Sequence, residues 1–133
     1  MALGGWILDK SAAARASDPR IARLLDELYG HFYICEVGEL EQLYSARSAR
    51  DYDERKSALH VGFEILRAPA DLLGRALILQ RDLAHHHGMW HRTPIPDLLI
   101  AETALHHAVG IVHVDGDFER IAEIRPLVVR RLN

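Results

Sequence analysis

Acidic residues recur where the predicted secondary-structure elements meet loops. Asp9 follows the apolar run Trp6-Ile7-Leu8, which has the length and composition of a short strand, and Asp115-Gly116-Asp117 follows a second such run. Asp97 lies in the first turn of a predicted helix, where a carboxylate is favoured. Ligands of open α/β sheets bind at the carboxyl ends of the strands. The positions of these acids therefore predict one acidic site at that edge.

Each of these acids, taken alone, also has a purely local explanation. Asp9 and Asp97 are typical of helix caps, and Asp115-Gly116-Asp117 is typical of a turn. Their joint occurrence at the ends of elements favours a site over three unrelated local roles.

Helical phase selects one further acid. A helix is predicted from Glu36 to about Ser48, and its apolar face is formed by Val37, Leu40 and Tyr44. At about 100° per residue, Glu41 falls within that face, whereas Glu39 falls nearly opposite and is expected to be solvated. A glutamate on a buried face is unfavourable unless it is paired or binds a metal ion. We therefore expect Glu41 to join the acidic site.

Several carboxylates in one cleft have a definite chemical consequence. They repel one another, so their pKa values rise unless cations compensate the charge. Mg²⁺ and Mn²⁺ take oxygen ligands and keep several water molecules. Such sites suit phosphodiester hydrolysis, in which one ion lowers the pKa of the attacking water and another stabilises the leaving oxygen.

Strand and helix signals alternate along the chain, which predicts an α/β fold with a mostly parallel sheet. Strands are predicted at 6–8, 32–35, 111–114 and 126–129, the last at an edge because Pro126 begins it. The segment that contains Leu59, Phe63 and Leu66 is predicted to be helical from its spacing, and another helix is predicted from Pro69 to Gly88.

Length and composition exclude several classes of protein. The 133 residues fit a single domain, 1–133, and no apolar run is long enough to span a bilayer. The net charge of −3 argues only weakly against a nucleic-acid partner. The N-terminal residues lack the features of a signal peptide. The single cysteine, Cys35, forbids an internal disulfide, fits a reducing cytoplasm, and is expected to be a small buried residue at a strand end.

The run His85-His86-His87 resembles a metal-binding sequence, but adjacent residues on a helix point in different directions. We therefore interpret it as a polar helix end, where histidine is favoured by the helix dipole, rather than as a zinc site.

Four motifs together resemble PIN-domain ribonucleases, and most of all the VapC toxins of bacterial toxin–antitoxin pairs. The motifs are Leu8-Asp9-Lys10-Ser11-Ala12, the run 39–47, the run 96–101 and Asp115-Gly116-Asp117-Phe118-Glu119. The resemblance implies a PIN-like α/β/α sandwich with a mostly parallel, short-stranded central sheet. It also implies a Mg²⁺- or Mn²⁺-dependent endoribonuclease that cuts tRNA or rRNA and so inhibits translation. A homodimer and neutralisation by a VapB-type antitoxin are implied as well, with no membrane partner.

The resemblance also assigns roles to individual residues. The family's acids match Asp9, Glu41 and Asp97, and the fourth falls at Asp115 or Asp117. The three aspartate positions are expected to hold the metal, and Glu41 to position a second ion or the attacking water. Hydrolysis would leave a 5′-phosphate and a 3′-hydroxyl.

The expected substrate-binding residues are Ser11, which matches a hydroxyl beside the metal, and three candidates for phosphate contacts, Arg15, Arg47 and Arg92. Two positions depart from the family pattern. Lys10 stands where a small hydroxyl residue is more usual. Glu102 stands where alanine is more usual, and helical phase places it on the less apolar flank, so we expect it at the surface.

Two other functions are compatible with parts of this pattern. An aspartyl phosphoacceptor domain is also small and acid-lined, but it needs one reactive aspartate beside a lysine and a hydroxyl, and it does not explain Glu41. A catalytically inert PIN-like domain that only binds protein is the other alternative. The retention of mutually repelling acids argues against it.

Overall fold

The computed structural model describes residues 4–132 and contains a five-stranded, wholly parallel sheet in the order β3-β2-β1-β4-β5. The strands are β1 (Gly5–Leu8), β2 (His31–Cys35), β3 (Glu64–Leu66), β4 (Gly110–His113) and β5 (Val129–Arg131). The predicted α/β class and parallel sheet are confirmed.

The helices of the described residues alternate with these strands. They are α1 (Lys10–Ala13), α2 (Pro19–Asp26), α3 (Glu36–Tyr44), α4 (Ala49–Gly62), α5 (Leu72–His86), α6 (Ile95–His107) and α7 (Phe118–Ala122). A 3₁₀ turn, Trp90–Arg92, joins α5 to α6. None of these helices is both long and apolar enough to pass through a membrane.

Both faces of the sheet are covered, which makes the fold an α/β/α sandwich. Ile7 of β1 packs in a core with residues of α5, α6 and α7, whereas its neighbours Trp6 and Leu8 pack in a second core with residues of α1 and α2. Successive side chains of a strand point to opposite faces, so a strand that is buried on both sides is apolar throughout. This is why the short run Trp6-Ile7-Leu8 was recognisable as a strand.

The prediction of a helix through Leu66 was wrong. Helix α4 ends at Gly62, Phe63 is extended, and Glu64–Leu66 pairs with β2 as an edge strand. Leu59, Phe63 and Leu66 are spaced like one helical face, but Phe63 and Ile65 pack into the core from extended backbone. A strand of three residues is too short to display its own alternation.

The last strand lies at an edge as predicted, but it begins later than expected. The predicted segment was 126–129, whereas β5 is Val129–Arg131. Leu127 is buried before the strand, and the backbone of Val128 accepts a hydrogen bond from the Ile111 N–H. The strand itself contains two arginines, and both are exposed.

The outer face of α3 also differs from the prediction. Leu40 is 68% exposed and Tyr44 91% exposed, while the buried residues of the helix are Gly38 and Leu43. The side chain of Glu39 is only 13% exposed, because it contacts His60 and Lys56 of α4. Helix α4 packs against the side of α3 that carries Glu39, and of the predicted apolar face only Val37 packs against the core.

Glu102 is buried, not exposed as expected. It is 6% exposed, and its Oε2 has no hydrogen-bond partner among the described residues. Burial raises the pKa of this carboxyl, while the positive charges of Arg125 and Arg75 oppose the rise. The flank of α6 that carries Glu102 is therefore covered by neighbouring elements, which helical phase alone cannot reveal.

Cys35 ends β2 and is fully buried, as expected. Its Sγ accepts a hydrogen bond from the Gly38 N–H at 3.4 Å, and burial raises the pKa of the thiol to about 11. The thiol is therefore protonated at neutral pH and has a structural role.

Candidate metal centre at the strand ends

Asp9 acts both as a helix cap and as the first acid of the site. It is buried directly after β1, and its Oδ2 accepts hydrogen bonds from the Ser11 N–H at 3.2 Å and the Ser11 hydroxyl at 2.8 Å. The Ser11 hydroxyl in turn accepts a hydrogen bond from the Val114 N–H at 2.9 Å. Ser11 therefore ties the first acid to the loop that follows β4.

Asp97 and Asp117 are brought together by a direct contact. Oδ2 of Asp97, in the first turn of α6, accepts a hydrogen bond from the Asp117 N–H at 3.3 Å. Burial raises the pKa of Asp97 to about 6, and the charges of Asp9, Glu41 and Asp117 act in the same direction. This shared effect places four carboxylates in one electrostatic environment.

Glu41 lies beside these acids, although not for the reason inferred from its helical phase. It is half-buried, and it lines an open groove with Lys10, Val37, Leu40, Tyr44 and Pro96. Burial and then the charge of Asp9 raise the pKa of Glu41, whereas Lys10 lowers it. Its Oε1 is buried without a hydrogen-bond partner among the residues the structure describes.

The two acids after β4 have different surroundings. Asp115 is exposed, and its Oδ2 lies 3.6 Å from the Arg15 guanidinium. Asp117 instead contacts Asp97 through its backbone and contributes to the raised pKa of that carboxyl. The structure therefore places Asp9, Glu41, Asp97 and Asp117 in one electrostatic environment, whereas the exposed Asp115 carboxylate pairs with Arg15. We call these four residues the carboxylate centre.

The loop between β4 and α7 is held by side chains that sequence reasoning did not identify. Nδ1 of the fully buried His113 accepts a hydrogen bond from the Gly116 N–H at 2.8 Å, and its Nε2 lies 3.1 Å from Glu119 Oε1. Arg131 donates to the Val114 carbonyl at 2.8 Å and to the Gly116 carbonyl at 2.7 Å, and it also pairs with Glu119. These contacts fix the backbone that carries Asp117.

Burial lowers the pKa of His113, opposed by Glu119. A neutral ring can accept from the Gly116 N–H and donate to Glu119 at once, so it keeps both contacts near neutral pH. The only feature of the sequence that indicates a role for His113 is its position inside an otherwise apolar strand.

The predicted phosphate-binding arginines occupy different places. Arg15 lines a groove beside the carboxylate centre with Lys10, Ser11, Asp115 and others, and it donates to the Ser11 carbonyl at 2.9 Å. Arg47 follows α3 and lines a neighbouring groove, and Arg92 is exposed in the 3₁₀ turn. Neither forms a described contact with the acids.

Arg55 of α4 lines the same groove as Arg15, and it donates to the Ser45 hydroxyl at 3.0 Å. Its charged neighbourhood in the sequence is typical of a solvated helix face, so no local pattern distinguished it.

The donor set of the carboxylate centre fits a hard divalent cation. All its side-chain donors are carboxylate oxygens, one of them buried and unpartnered among the described residues, and burial together with the neighbouring acids raises the pKa of Asp97. Among the described residues, three ligand atoms converge within 4.8 Å only at His86, His87 and Glu123. The carboxylates are more widely spaced than that, which suits an ion that keeps several water ligands.

Comparisons with known proteins agree on one family. A family model described as "PIN domain" matches residues 5–124. Ribonuclease VapC17 of Mycobacterium tuberculosis is 57% identical over 125 residues, which cover 91% of this chain and 90% of that protein. Ribonuclease VapC21 of the same organism is 37% identical and covers 90% of this chain and 87% of its own length.

Solved structures show the same fold at lower identity. VapBC2 from Rickettsia felis, bound to a DNA fragment from its promoter, aligns with a TM-score of 0.71 at 16% identity and covers 97% of this chain and 99% of its own. VapBC-5 from Mycobacterium tuberculosis aligns with a TM-score of 0.68 at 21% identity and covers 96% of this chain and 98% of its own.

Proposed function

The chain belongs to the PIN-domain family of VapC ribonucleases, and from that premise we propose that it is a Mg²⁺- or Mn²⁺-dependent endoribonuclease that acts as a VapC-type toxin. The carboxylate centre is the observation that carries this proposal. Four acids share one environment at the carboxyl end of the sheet, and one buried oxygen of Glu41 lacks a partner in the described part of the chain. A divalent cation would satisfy both features.

We assign the metal-holding role to Asp9, Asp97 and Asp117. When bound, the cation supplies charge that stabilises the leaving oxygen and lowers the pKa of a coordinated water. Asp115 belongs to the motif by position, but its pairing with Arg15 supports a different role. It would orient Arg15 towards the scissile phosphate rather than hold the metal.

The remaining groups position the reactants. The unpartnered Oε1 of Glu41 is suited to accept a hydrogen bond from the attacking water and so align it with the phosphorus. The Ser11 hydroxyl fixes the position of the Asp9 carboxylate relative to the Val114 backbone. In-line attack would then leave a 5′-phosphate and a 3′-hydroxyl.

The groove next to the centre supports RNA as the substrate. Lys10, Arg15 and Arg55 bring three positive charges beside four repelling acids, so a phosphate backbone has counter-charges on one side of the metal. Arg47 and Arg92 lie farther along the surface and would contact flanking phosphates. Binding should weaken with salt, and bases in a single-stranded loop of tRNA or rRNA would set specificity. Cleavage of such loops would inhibit translation.

The exposed apolar side of α3 supports a protein partner. Leu40 and Tyr44 adjoin Glu41 in the same groove, so a VapB-type antitoxin segment bound there would cover the carboxylate centre and block RNA. A second apolar surface, Leu73, Leu77 and Ile95 of α5 and α6, would form the homodimer. Size-exclusion chromatography with light scattering, with and without the antitoxin, tests both assemblies.

The decisive experiment incubates the purified protein with total RNA and a tRNA pool in Mg²⁺, Mn²⁺ or EDTA. Asp97→Asn is the test variant, and Asp26→Asn, an exposed acid at the end of α2, is the matched control. We expect cuts at defined loops that require metal, persist in Asp26→Asn and disappear in Asp97→Asn. Cleavage that survives both EDTA and Asp97→Asn would overturn the proposal.

Absence of cleavage is resolved by a second measurement. If Mg²⁺ raises the Tm of the wild type but not of Asp97→Asn, the centre binds metal and the substrate is narrower than the pool. If Mg²⁺ changes neither Tm, the chain is an inert PIN-like protein-binding module and the enzymatic proposal is wrong.

A further inference from the structure

A second group of metal-ligand side chains lies outside the carboxylate centre. His86, His87 and Glu123 each place one ligand atom within 4.8 Å of the other two. We propose that these residues, which we call the histidine cluster, form a binding site for a borderline transition-metal ion such as Zn²⁺. The site goes beyond the proposed nuclease function and does not depend on it.

The rings of the two adjacent histidines lie close together where α5 ends. His86 is the last residue of α5, whereas His87 has φ −142° and ψ 145°, which is extended backbone. The two rings lie edge to face, with their centroids 4.9 Å apart. The sequence argument against a metal concerned three adjacent histidines on one helix, whereas this cluster uses two of them, with Glu123 as its third ligand.

Neighbouring contacts hold both rings in place. Trp90 packs against them, with its ring centroid 5.4 Å from that of His86 and 4.4 Å from that of His87. The Trp90 N–H also donates to the His87 carbonyl at 3.2 Å. Because Trp90 restricts both histidine rings before an ion binds, less side-chain entropy is lost on binding.

Glu123 is brought to the histidines by contacts on both sides of it in the sequence. The Arg120 guanidinium stacks over the Trp90 ring at 5.7 Å, and Arg125 Nη2 pairs with Asp82 Oδ2 of α5 at 2.6 Å. These two contacts pin α7 and the residues after it to the 3₁₀ turn and to α5. Glu123 Oε2 consequently lies 3.7 Å from His86 Nε2.

The chemistry of this ligand set differs from that of the carboxylate centre. Two imidazoles and one carboxylate suit tetrahedral Zn²⁺ and leave its fourth position for water, whereas Mg²⁺ prefers oxygen ligands. The negative end of the α5 dipole adds a favourable field for a cation. A bound ion would join α5 to α7, the helix that begins directly after Asp117.

The test is a Zn²⁺ titration of the full chain by calorimetry and thermal unfolding, with excess Mg²⁺ present to occupy the carboxylate centre. We expect one site per chain and, at saturation, a rise in Tm of about 5 °C or more. His86→Ala, His87→Ala and Glu123→Gln should each weaken Zn²⁺ binding at least about tenfold. His85→Ala is the matched control, because His85 is also exposed at the end of α5 but lies outside the cluster.

Two results would overturn the proposal. One is a Zn²⁺ response that is the same in His86→Ala, His87→Ala, Glu123→Gln and His85→Ala. The other is a response that Asp97→Asn abolishes, since Zn²⁺ would then occupy the carboxylate centre. Quenching of Trp90 fluorescence by Ni²⁺, with Trp90→Phe giving the background from Trp6, provides a second readout in the intact cluster. Failure of Ni²⁺ to quench Trp90 would likewise contradict the site.

Discussion

The carboxylate centre and the histidine cluster are two ways of offering a metal site on one fold. The first consists of buried or half-buried acids at the ends of β1 and β4 and on α3 and α6. The second consists of exposed side chains where α5 and α7 end. Oxygen ligands with wide spacing select a hard cation, and nitrogen ligands with close spacing select a borderline one.

The two sites also differ in the electrostatic cost that they impose on the metal-free fold. The acids of the centre repel one another without a metal, and the pKa of Asp97 rises to about 6 with burial as the main cause. The histidine cluster contains a single carboxylate, and all three of its side chains are exposed, so it imposes little electrostatic cost on the fold. Acids that repel one another lower the stability of the fold. The carboxylate centre is therefore a stronger indication of function than the histidine cluster.

The largest expected effect is a loss of RNA cleavage that distinguishes Asp117 from Asp115, the two acids that follow β4. Asp97→Asn and Asp117→Asn should reduce Mg²⁺-dependent RNA cleavage at least about 100-fold, equivalent to about 2.7 kcal/mol. Asp115→Asn should reduce it less than about fivefold, because Asp115 pairs with Arg15 at an exposed position. Initial rates at saturating Mg²⁺ measure all three variants. A larger loss in Asp115→Asn than in Asp117→Asn would reverse the assignment of the fourth acid.

The next effect measures the cost of holding the Asp97 carboxylate buried among other acids. With EDTA present, Asp97→Asn should be more stable than the wild type at pH 7 by about 1–2 kcal/mol. The full pKa shift of Asp97 corresponds to about 3 kcal/mol at 1.36 kcal/mol per pKa unit, and partial exposure reduces it. The asparagine can still accept the hydrogen bond from the Asp117 N–H.

The sign of the pH dependence follows from the raised pKa. Burial raises the pKa of Asp97 from 3.8 to about 6, so between these values the folded protein holds a proton that the unfolded chain has released. The wild type therefore loses stability relative to Asp97→Asn as the pH rises from about 4 to 6, and the difference is largest above pH 6. Urea unfolding of both proteins from pH 4 to 7.5 measures this. A difference that does not vary with pH would show that burial and the neighbouring acids do not raise the pKa of Asp97.

Much of the centre could be predicted because its residues mark the ends of elements. Asp9 follows a strand that is apolar on both faces, and Asp97 lies in a first helical turn, so local patterns sufficed to select them. Glu41 was selected by phase, but the face on which it lies is exposed at Leu40 and Tyr44. Glu41 was therefore chosen from an apolar face that is largely exposed and could bind a partner protein.

The features that sequence reasoning missed join distant segments. His113, Glu119 and Arg131 meet only because β5 pairs with β4 and returns Arg131 to the loop. Glu102 is buried by neighbouring elements, not by its own helix. The histidine cluster needs the docking of the segment after α7 on α5, which brings Glu123 to His86. No spacing rule within one segment contains this information.

A smaller effect concerns how the loop is held. Arg131→Gln removes the donations to the Val114 and Gly116 carbonyls, so the backbone that carries Asp117 becomes less ordered. We expect an about tenfold higher Mg²⁺ concentration for half-maximal cleavage, at the low end of the range of outer-shell changes at metal sites. Arg130→Gln, the exposed neighbour on β5, is the control. If cleavage falls while the Mg²⁺ dependence is unchanged, Arg131 contacts RNA instead.

The smallest expected effect tests whether the two metal sites are independent. Glu123→Gln should change Mg²⁺-dependent cleavage by less than about twofold and, without Zn²⁺, stability by less than about 0.5 kcal/mol, because its contact with His86 is exposed. Zn²⁺ added to the Mg²⁺-loaded wild type should raise the Tm, whereas Glu123→Gln should respond much less. If Glu123→Gln instead lowered cleavage as strongly as Asp117→Asn, α7 would transmit the state of one site to the other. The two sites would then have to be treated as a single coupled unit.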